Sequence, residues 1–382
     1  MATQTQGGAA AGAPTVTLGL LSDPGLPADL SADLAAQLPD LLEHETDGRA
    51  RWRVETASQQ LTIDEHGKLP SVEIGRHAMA QHRWDLVILV TELPRWAGTQ
   101  PIVSDYGLAT GVGLVSLPGL GAMGLRRQAR KVIMHLVAEH LIDKPLGDGG
   151  TDGQGQGGPR AHRALGPGTP VQHIDSTDEG IDAHLALTGT RGRLRLLAGM
   201  VRANRPWRLV PSPSPAIAGA AAGAAFGVFY SNIWQLADAF SGWRLTLVNV
   251  LAILAMIAWL IIDNSLWERP SDRQLRDEAA LYNAATTLTI SIGVLCMYTL
   301  LFVVTLISAL VVIPPDYLTT TLKHPSGFSE FAIVAWLSAS MGTIAGALGS
   351  GLASEDAVRQ AAFSKREQER RQSLRAQDEG SS

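Results

Sequence analysis

Three groups of residues have types and spacings that could do chemistry. The first is Gly119-Leu120-Gly121-Ala122-Met123-Gly124, which fits G-x-G-x-x-G, follows an apolar run and opens a helix-forming stretch. In that setting a backbone turn can cradle a pyrophosphate. The acid that holds the ribose should end a second strand after the helix. Here the helix runs out at Asp143-Lys144-Pro145 into a glycine-rich tract, and Pro118 stands before the first glycine. The loop therefore reads as a turn. Tyr106 has no lysine four residues on, which also speaks against a short-chain dehydrogenase. The second group is the histidines. His77 and His82, like His135 and His140, are five residues apart, whereas a helical metal pair needs i, i+4. They read as surface or edge histidines, and no metal or cofactor is expected. Spacing alone neither finds nor excludes a Ser–His–Asp triad.

The third group is polar and falls at the expected ends of strands: Ser22 and Asp23, Thr91 and Glu92, and Asp105. Ligands of open α/β sheets usually sit beyond the carboxyl ends of the strands. Two neighbouring carboxylates there would favour a cation, a metal-bound phosphate or a hydroxyl-rich ligand. The alternative is that these residues cap helix starts and turns.

The elements that must position them alternate. Thr15–Leu21 reads as a buried strand ended by Ser22-Asp23-Pro24-Gly25, and Leu26–His44 carries leucines in helical rhythm. Trp52–Thr56 and Asp85–Val90 read as strands around a helix at Val72–Arg83. Ile102–Ser104 and Gly111–Leu117 are short strand candidates, and Gly124–Ile142 is an amphipathic helix. Apolar strands alternating with helices predict an α/β domain over residues 15–145 with a mostly parallel, Rossmann-like sheet.

Around this domain the composition changes. Residues 1–14 lack both basic residues and an apolar core and read as a disordered lead-in, not a secretory signal. Residues 146–180 form a glycine-rich linker. Residues 181–208 hold one more strand candidate, Ile181–Leu187, and then a basic collar. In the collar Arg191, Arg193, Arg195, Arg202, Arg205 and Arg208 interleave with Leu194, Leu196, Leu197, Met200, Val201 and Trp207. Basic on one side and apolar on the other, just before an apolar span, the collar is expected in the headgroup layer of an anionic leaflet, with no nucleic acid as partner.

Residues 209–353 decide the class. Pro215–Trp234, Leu245–Ile262, Leu288–Ile313 and Phe331–Leu352 contain no Asp, Glu, Lys or Arg. A hydrocarbon core needs roughly 20 apolar helical residues. The reading is a four-helix transmembrane bundle, all α. Cys296, the single cysteine of the 382 residues, lies within the third segment and reads as a small buried hydrophobe. Arginines crowd the collar, the loop with Arg269, Arg273 and Arg276, and the tail from Arg359 to Arg375. Arg244 and Lys323 stand alone in the other two loops. Such asymmetry places both termini in the cytoplasm of a multi-pass cell-membrane protein. Trp207, Trp234, Trp243 and Trp267 fall near the expected interfaces. Gly219, Gly223 and Gly227 on the first span, and Gly342, Gly346 and Ser350 on the fourth, form small-residue ridges suited to contact between spans or between protomers, a homo-oligomer in the second case. Residues 354–382 read as a charged cytoplasmic helical tail.

Four strings, WDLVILVTELP at 84–94, LLAGMVRANRPWRL at 196–209, WQLADAF at 234–240 and AWLSASMGTIAGALGSGL at 335–352, resemble an uncharacterised family of membrane proteins from high-GC Gram-positive bacteria. The resemblance covers nearly the whole chain except the lead-in and the glycine tract. It implies this same architecture, a cytoplasmic α/β domain before a four-helix membrane region, and no established activity. Two functions follow as expectations: a non-enzymatic sensor, binding or scaffold protein, or a membrane-tethered enzyme working through the strand-end cleft. A transporter is a weaker expectation, because the spans offer only Asn232, Asn249 and hydroxyls as polar groups.

Overall fold

A computed structural model describes residues 13–62, 69–97, 100–141, 171–176, 180–206, 215–269 and 276–350. The chain divides into two compact units at Met200/Val201. Most of the lead-in, the glycine tract, Arg208 and the tail lie outside the described residues.

The first unit is built on a sheet. Its elements are β1 (Thr15–Ser22), α1 (Leu26–Ala35), α2 (Leu38–Glu45), β2 (Arg51–Ser58), α3 (Ser71–His82), β3 (Leu86–Thr91), β4 (Arg95–Ala97), β5 (Gln100–Gly107), β6 (Val112–Ser116), α4 (Leu125–Leu136), β7 (Val171–Asp175) and β8 (Ala183–Leu187). A π turn, Val137–Leu141, extends α4. The single helix expected over Leu26–His44 is two, and Pro39 in the first turn of α2 sits where its missing N–H is harmless.

The sheet order is β2-β1-β3-β6-β5-β8-β7, with β4 paired to β5. β2, β1, β3 and β6 run parallel, while β5, β8, β7 and β4 pair antiparallel. The expected mostly parallel, Rossmann-like sheet is thus corrected to a mixed one. Only Leu108-Ala109-Thr110-Gly111 joins β5 to β6. A segment that short closes a hairpin and cannot make a parallel crossover. α3 covers one face, packing Ile74 and Ala78 over Val87, Leu89, Val112 and Leu114. α1, α2 and α4 cover the other. Every residue of β3 is buried, as a central strand with both faces covered requires.

The basic collar forms helix α5 (Gly189–Asn204). Over its first half the apolar stripe meets protein. Leu196 is fully buried, and Gly199 lies so close to the Pro118 carbonyl that a side chain there would overlap it. Arg195 lies over Gly121 and donates to the side-chain carbonyl of Gln128. Arg191, Arg193 and Leu194 are exposed, while Arg202 and Arg205 are half-buried. Gly199 on this helix thus packs against Pro118, while Leu194 of the apolar stripe stays exposed.

The second unit is helical: α6 (Pro215–Phe229), α7 (Ser231–Ala239), α8 (Gly242–Asp263), α9 (Arg276–Val312), α10 (Pro315–Leu322) and α11 (Phe328–Ser350). Among the described residues, three helices are long and apolar enough to cross a membrane, Gly242–Asp263, Arg276–Val312 and Phe328–Gly349. A fourth candidate is the pair α6 and α7, bent by 85°. The uninterrupted span expected over Pro215–Trp234 is corrected here. α6 has 15 residues, about 22 Å of helix, and Tyr230 adopts an extended conformation at the bend. Carbonyls freed by such a break need a donor. The Trp234 indole supplies it, 3.2 Å from the Gly227 oxygen and 3.1 Å from that of Val228. Trp234 is accordingly buried, whereas Trp243 and Trp267 are exposed.

α8 and α9 present Leu247, Leu251, Leu254, Val303, Val304, Ile307 and Val311 outward. Cys296 is exposed on α9, which corrects its reading as a buried residue. The small-residue ridge of α6 is filled by α11 of the same chain. A Cβ on Gly219 would stand 2.8 Å from the Ala345 oxygen, one on Gly223 2.7 Å from the Ala345 Cβ, and one on Gly342 3.0 Å from the Ala224 Cβ. Gly227 faces Ser338 as closely. Gly346 is buried in the same helix, and the Ser350 side chain lies outside the described residues.

Candidate functional site

At the carboxyl ends of β1 and β3 the sheet brings Ser22, Asp23 and Thr91 together, all buried. Asp23 Oδ1 accepts the Leu61 backbone N–H at 2.9 Å, and Oδ2 accepts the Thr91 hydroxyl at 2.7 Å. Thr91 Oγ in turn accepts the Leu93 N–H at 3.1 Å. Ser116, at the end of β6, donates to the Leu93 oxygen at 2.7 Å, and Ser22 donates to the Ala57 oxygen at 3.3 Å. These bonds tie the loop after β2 and the loop after β3 to the strand ends. No side chain caps α1, whose N-cap is Gly25, so Asp23 works as a clip between loops and not as a helix cap. Glu92, one residue past Thr91, is half-buried.

Asp105 is elsewhere. It lies within β5, paired opposite Leu114, on the face that α3 covers. The strand expected to end before it continues to Gly107. Its Oδ2 holds Arg95 Nη2 at 3.0 Å, and its Oδ1 lies 2.7 Å from His184 Nδ1. Asp105 and His184 are buried and Arg95 nearly so. Buried charges persist where they are paired and hydrogen-bonded. Here one carboxylate serves a cation from β4 and an imidazole from β8. Holding Nδ1 of an imidazole on a carboxylate fixes the ring and leaves Nε2 to meet another group, half of the arrangement that activates a nucleophile.

The next residue, Tyr106, points to the opposite face of the sheet. Its hydroxyl is 3.0 Å from His173 Nε2 on β7. Its ring stacks on His140 at 4.1 Å with 9° between the planes, and His140 meets His135 edge-on at 5.0 Å. The sequence reading had separated those two histidines, since five residues on an α-helix turn about 140° apart. The π turn, with its i→i+5 bonds, returns them to one side. Burial, then the neighbouring His135 and His173, pushes His140 down to about 3. Burial likewise lowers His173 below its ordinary value and raises Tyr106 to about 12, helped by Asp182 and Asp175. His140 and Tyr106 are therefore held neutral. Among the described residues no group of three His, Cys, Asp or Glu is placed to hold a metal ion.

The glycine loop has a structural role. A Cβ on Gly119 would stand 2.9 Å from the Ile102 oxygen, and Gly121 lies beneath Arg195. Gly121 and Gly124 have positive φ, 86° and 65°, which only glycine adopts freely. Thus Ser22, Asp23 and Thr91 are gathered, Glu92 borders them, and Asp105 belongs to a second polar cluster. Arg95, His184, Tyr106, His140 and His173 were missed. The one sequence signal for them was that polar residues at 104–106 continue a short apolar strand. The chain matches no protein-family model, no curated protein and no solved structure.

Proposed function

We propose that the chain is an integral protein of the cell membrane, with both termini cytoplasmic, whose helical unit anchors an α/β module that binds or senses a ligand. The observation that carries the membrane reading is the outward apolar surface of α8 and α9, from Leu247 to Val311, on helices of spanning length. Contact with lipid is the physical state in which such a surface is favourable. Membership of the high-GC Gram-positive family rests on the strings quoted above and belongs to the same proposal. Cysteines at Ser241 and Ser326, in a Cys296→Ser background, should react with an impermeant maleimide in intact cells, and cysteines at Ser271 and Ser373 should not. Labelling at Ser373 from outside rejects the topology.

Binding rather than turnover is supported by the use of Asp23 as a buried structural acceptor, both of whose oxygens accept bonds from the protein, instead of as a free general base. A second reading, a membrane-tethered enzyme, is favoured by the Asp105–His184 pair alone. Thermal-shift screening of the full chain in detergent with divalent metals, nucleotides and sugars tests both. Asp23→Asn should lower stability by about 1–2 kcal/mol even without ligand, because a buried acceptor for Thr91 becomes a donor. A hit lost in Glu92→Gln puts the ligand at the strand ends. A hit lost in His184→Gln but retained in Glu92→Gln puts it at the second cluster.

A further inference from the structure

We propose that His324 and Asp238 form a pH-dependent latch that fastens the end of α7 to the loop between α10 and α11, tight while the imidazole carries both protons and loosened when it loses one. The geometry demands two donors. His324 Nε2 lies 3.0 and 3.1 Å from the two Asp238 oxygens, and Nδ1 lies 3.1 Å from the Pro325 carbonyl. A neutral imidazole has one N–H and can serve only one of these acceptors, whereas imidazolium serves both.

The helices reinforce the charge. Asp238 is in the last turn of α7, where the negative pole of the helix disfavours a carboxylate unless a cation answers it. His324 stands just beyond Leu322, the end of α10, at a second negative pole. The other acid acting on the ring is Glu330 at the head of α11, and Lys323 precedes the ring on its own loop. These contacts raise His324 above its ordinary 6.5, the Pro325 carbonyl first and Asp238 next. A folded-state value raised above the unfolded one gives a contribution that is complete below 6.5 and is lost as pH rises through the folded value.

The latch acts on an element with its own axis, bent by 85° from α6. α7 is broken from α6 at Tyr230. Its inner side is fixed by Trp234 and Ala237 against Leu318, Leu322 and Phe331. At its far end, among the described residues, Asp238 and the weaker bond of Gln235 to the Thr321 carbonyl, at 3.4 Å, add polar holds to the packing of Phe240. His324 and Asp238 are 41% and 34% exposed, so the latch senses bulk pH and is weakened by salt. Which compartment it senses rests on the proposed topology, which places this loop outside.

The test is hydrogen exchange of the full chain in nanodiscs from pH 6 to 9, corrected for intrinsic exchange, read on peptides spanning 231–241 and 318–327. The wild type should open roughly two- to fivefold more often above the histidine's folded pKa, the size an exposed ion pair commands. His324→Gln and Asp238→Asn should be open and flat across the range. His324→Arg, which keeps the cation, should be closed and flat. A flat wild-type profile, or a step that survives His324→Gln, overturns the latch. Maleimide labelling that reverses the topology changes the compartment and leaves the step intact, so the two failures are distinguishable.

Discussion

Acidification should unfold the first unit early, and His140→Phe should postpone that loss. His140, pushed down to about 3 by its burial and by His135 and His173, is neutral in the folded chain. Unfolded, it takes up a proton near pH 6.5. Between those values the unfolded chain binds more protons, so the contribution is intact above about pH 6.5 and drains away as pH falls towards 3. At about 1.4 kcal/mol per pH unit, pH 4 has removed on the order of 3 kcal/mol. That is a large part of a stability of about 5–15 kcal/mol. His173, also lowered, adds in the same direction. Phenylalanine keeps the stack on Tyr106, at 4.1 Å in the native ring pair, and removes the proton. Hydrogen exchange of peptides covering β5, β6 and residues 125–141 should show the acid midpoint lowered by about one pH unit in His140→Phe. His77→Gln, at an exposed site on α3, should leave it unchanged. Equal midpoints in wild type and His140→Phe would show that the stack does not govern acid stability.

The same stack shows where sequence reading stopped. Periodicity located β1, β3 and β6, because an apolar run closed by turn residues carries its own limits. β5 was cut short at Ser104, because Asp105 and Tyr106 look like a loop until β8, β7 and the π turn supply His184, His173 and His140 as their partners. Those partners arrive from 67 to 79 residues away for His173 and His184, across a glycine tract that local pattern cannot bridge. The parallel reading failed for a related reason: strand direction is set by connection length and pairing, and apolar strands look alike in either direction. The spans were legible because hydrocarbon demands length and apolarity in every helix. The bend at Tyr230 was not, since it contains neither proline nor glycine and is sustained by the indole of Trp234, four residues on. The glycine ridges announced close packing, but small-residue spacing carries no mark of its partner, and here each ridge is the other's.

Gly223→Ile should destabilise the helical unit by about 3 kcal/mol or more, the upper range of overpacking in a close-packed interface. A single Cβ at that position already stands 2.7 Å from the Ala345 Cβ and 3.0 Å from the Gly342 Cα. The obstacle is backbone and a methyl group, neither of which can rotate away. α6 and α11 would have to separate, and with them the contacts of Gly219 with the Ala345 carbonyl and of Gly227 with Ser338. In lipid, where apolar side chains gain nothing by leaving the solvent, these dispersion contacts hold the helices together. Gly223→Ala should show the same effect on a smaller scale, and its partner offers a clean control. Removing the opposing methyl by Ala345→Gly relieves the 2.7 Å contact while costing about 1 kcal/mol of helix propensity. The double variant should therefore be more stable than the sum of its parts by at least about 0.5 kcal/mol, the threshold for coupled neighbours. Thermal unfolding in detergent, or steric trapping in bilayers, measures all four corners of that cycle. Additive losses, or an unchanged melting profile in Gly223→Ile, would mean that the ridge of α6 faces lipid and not α11.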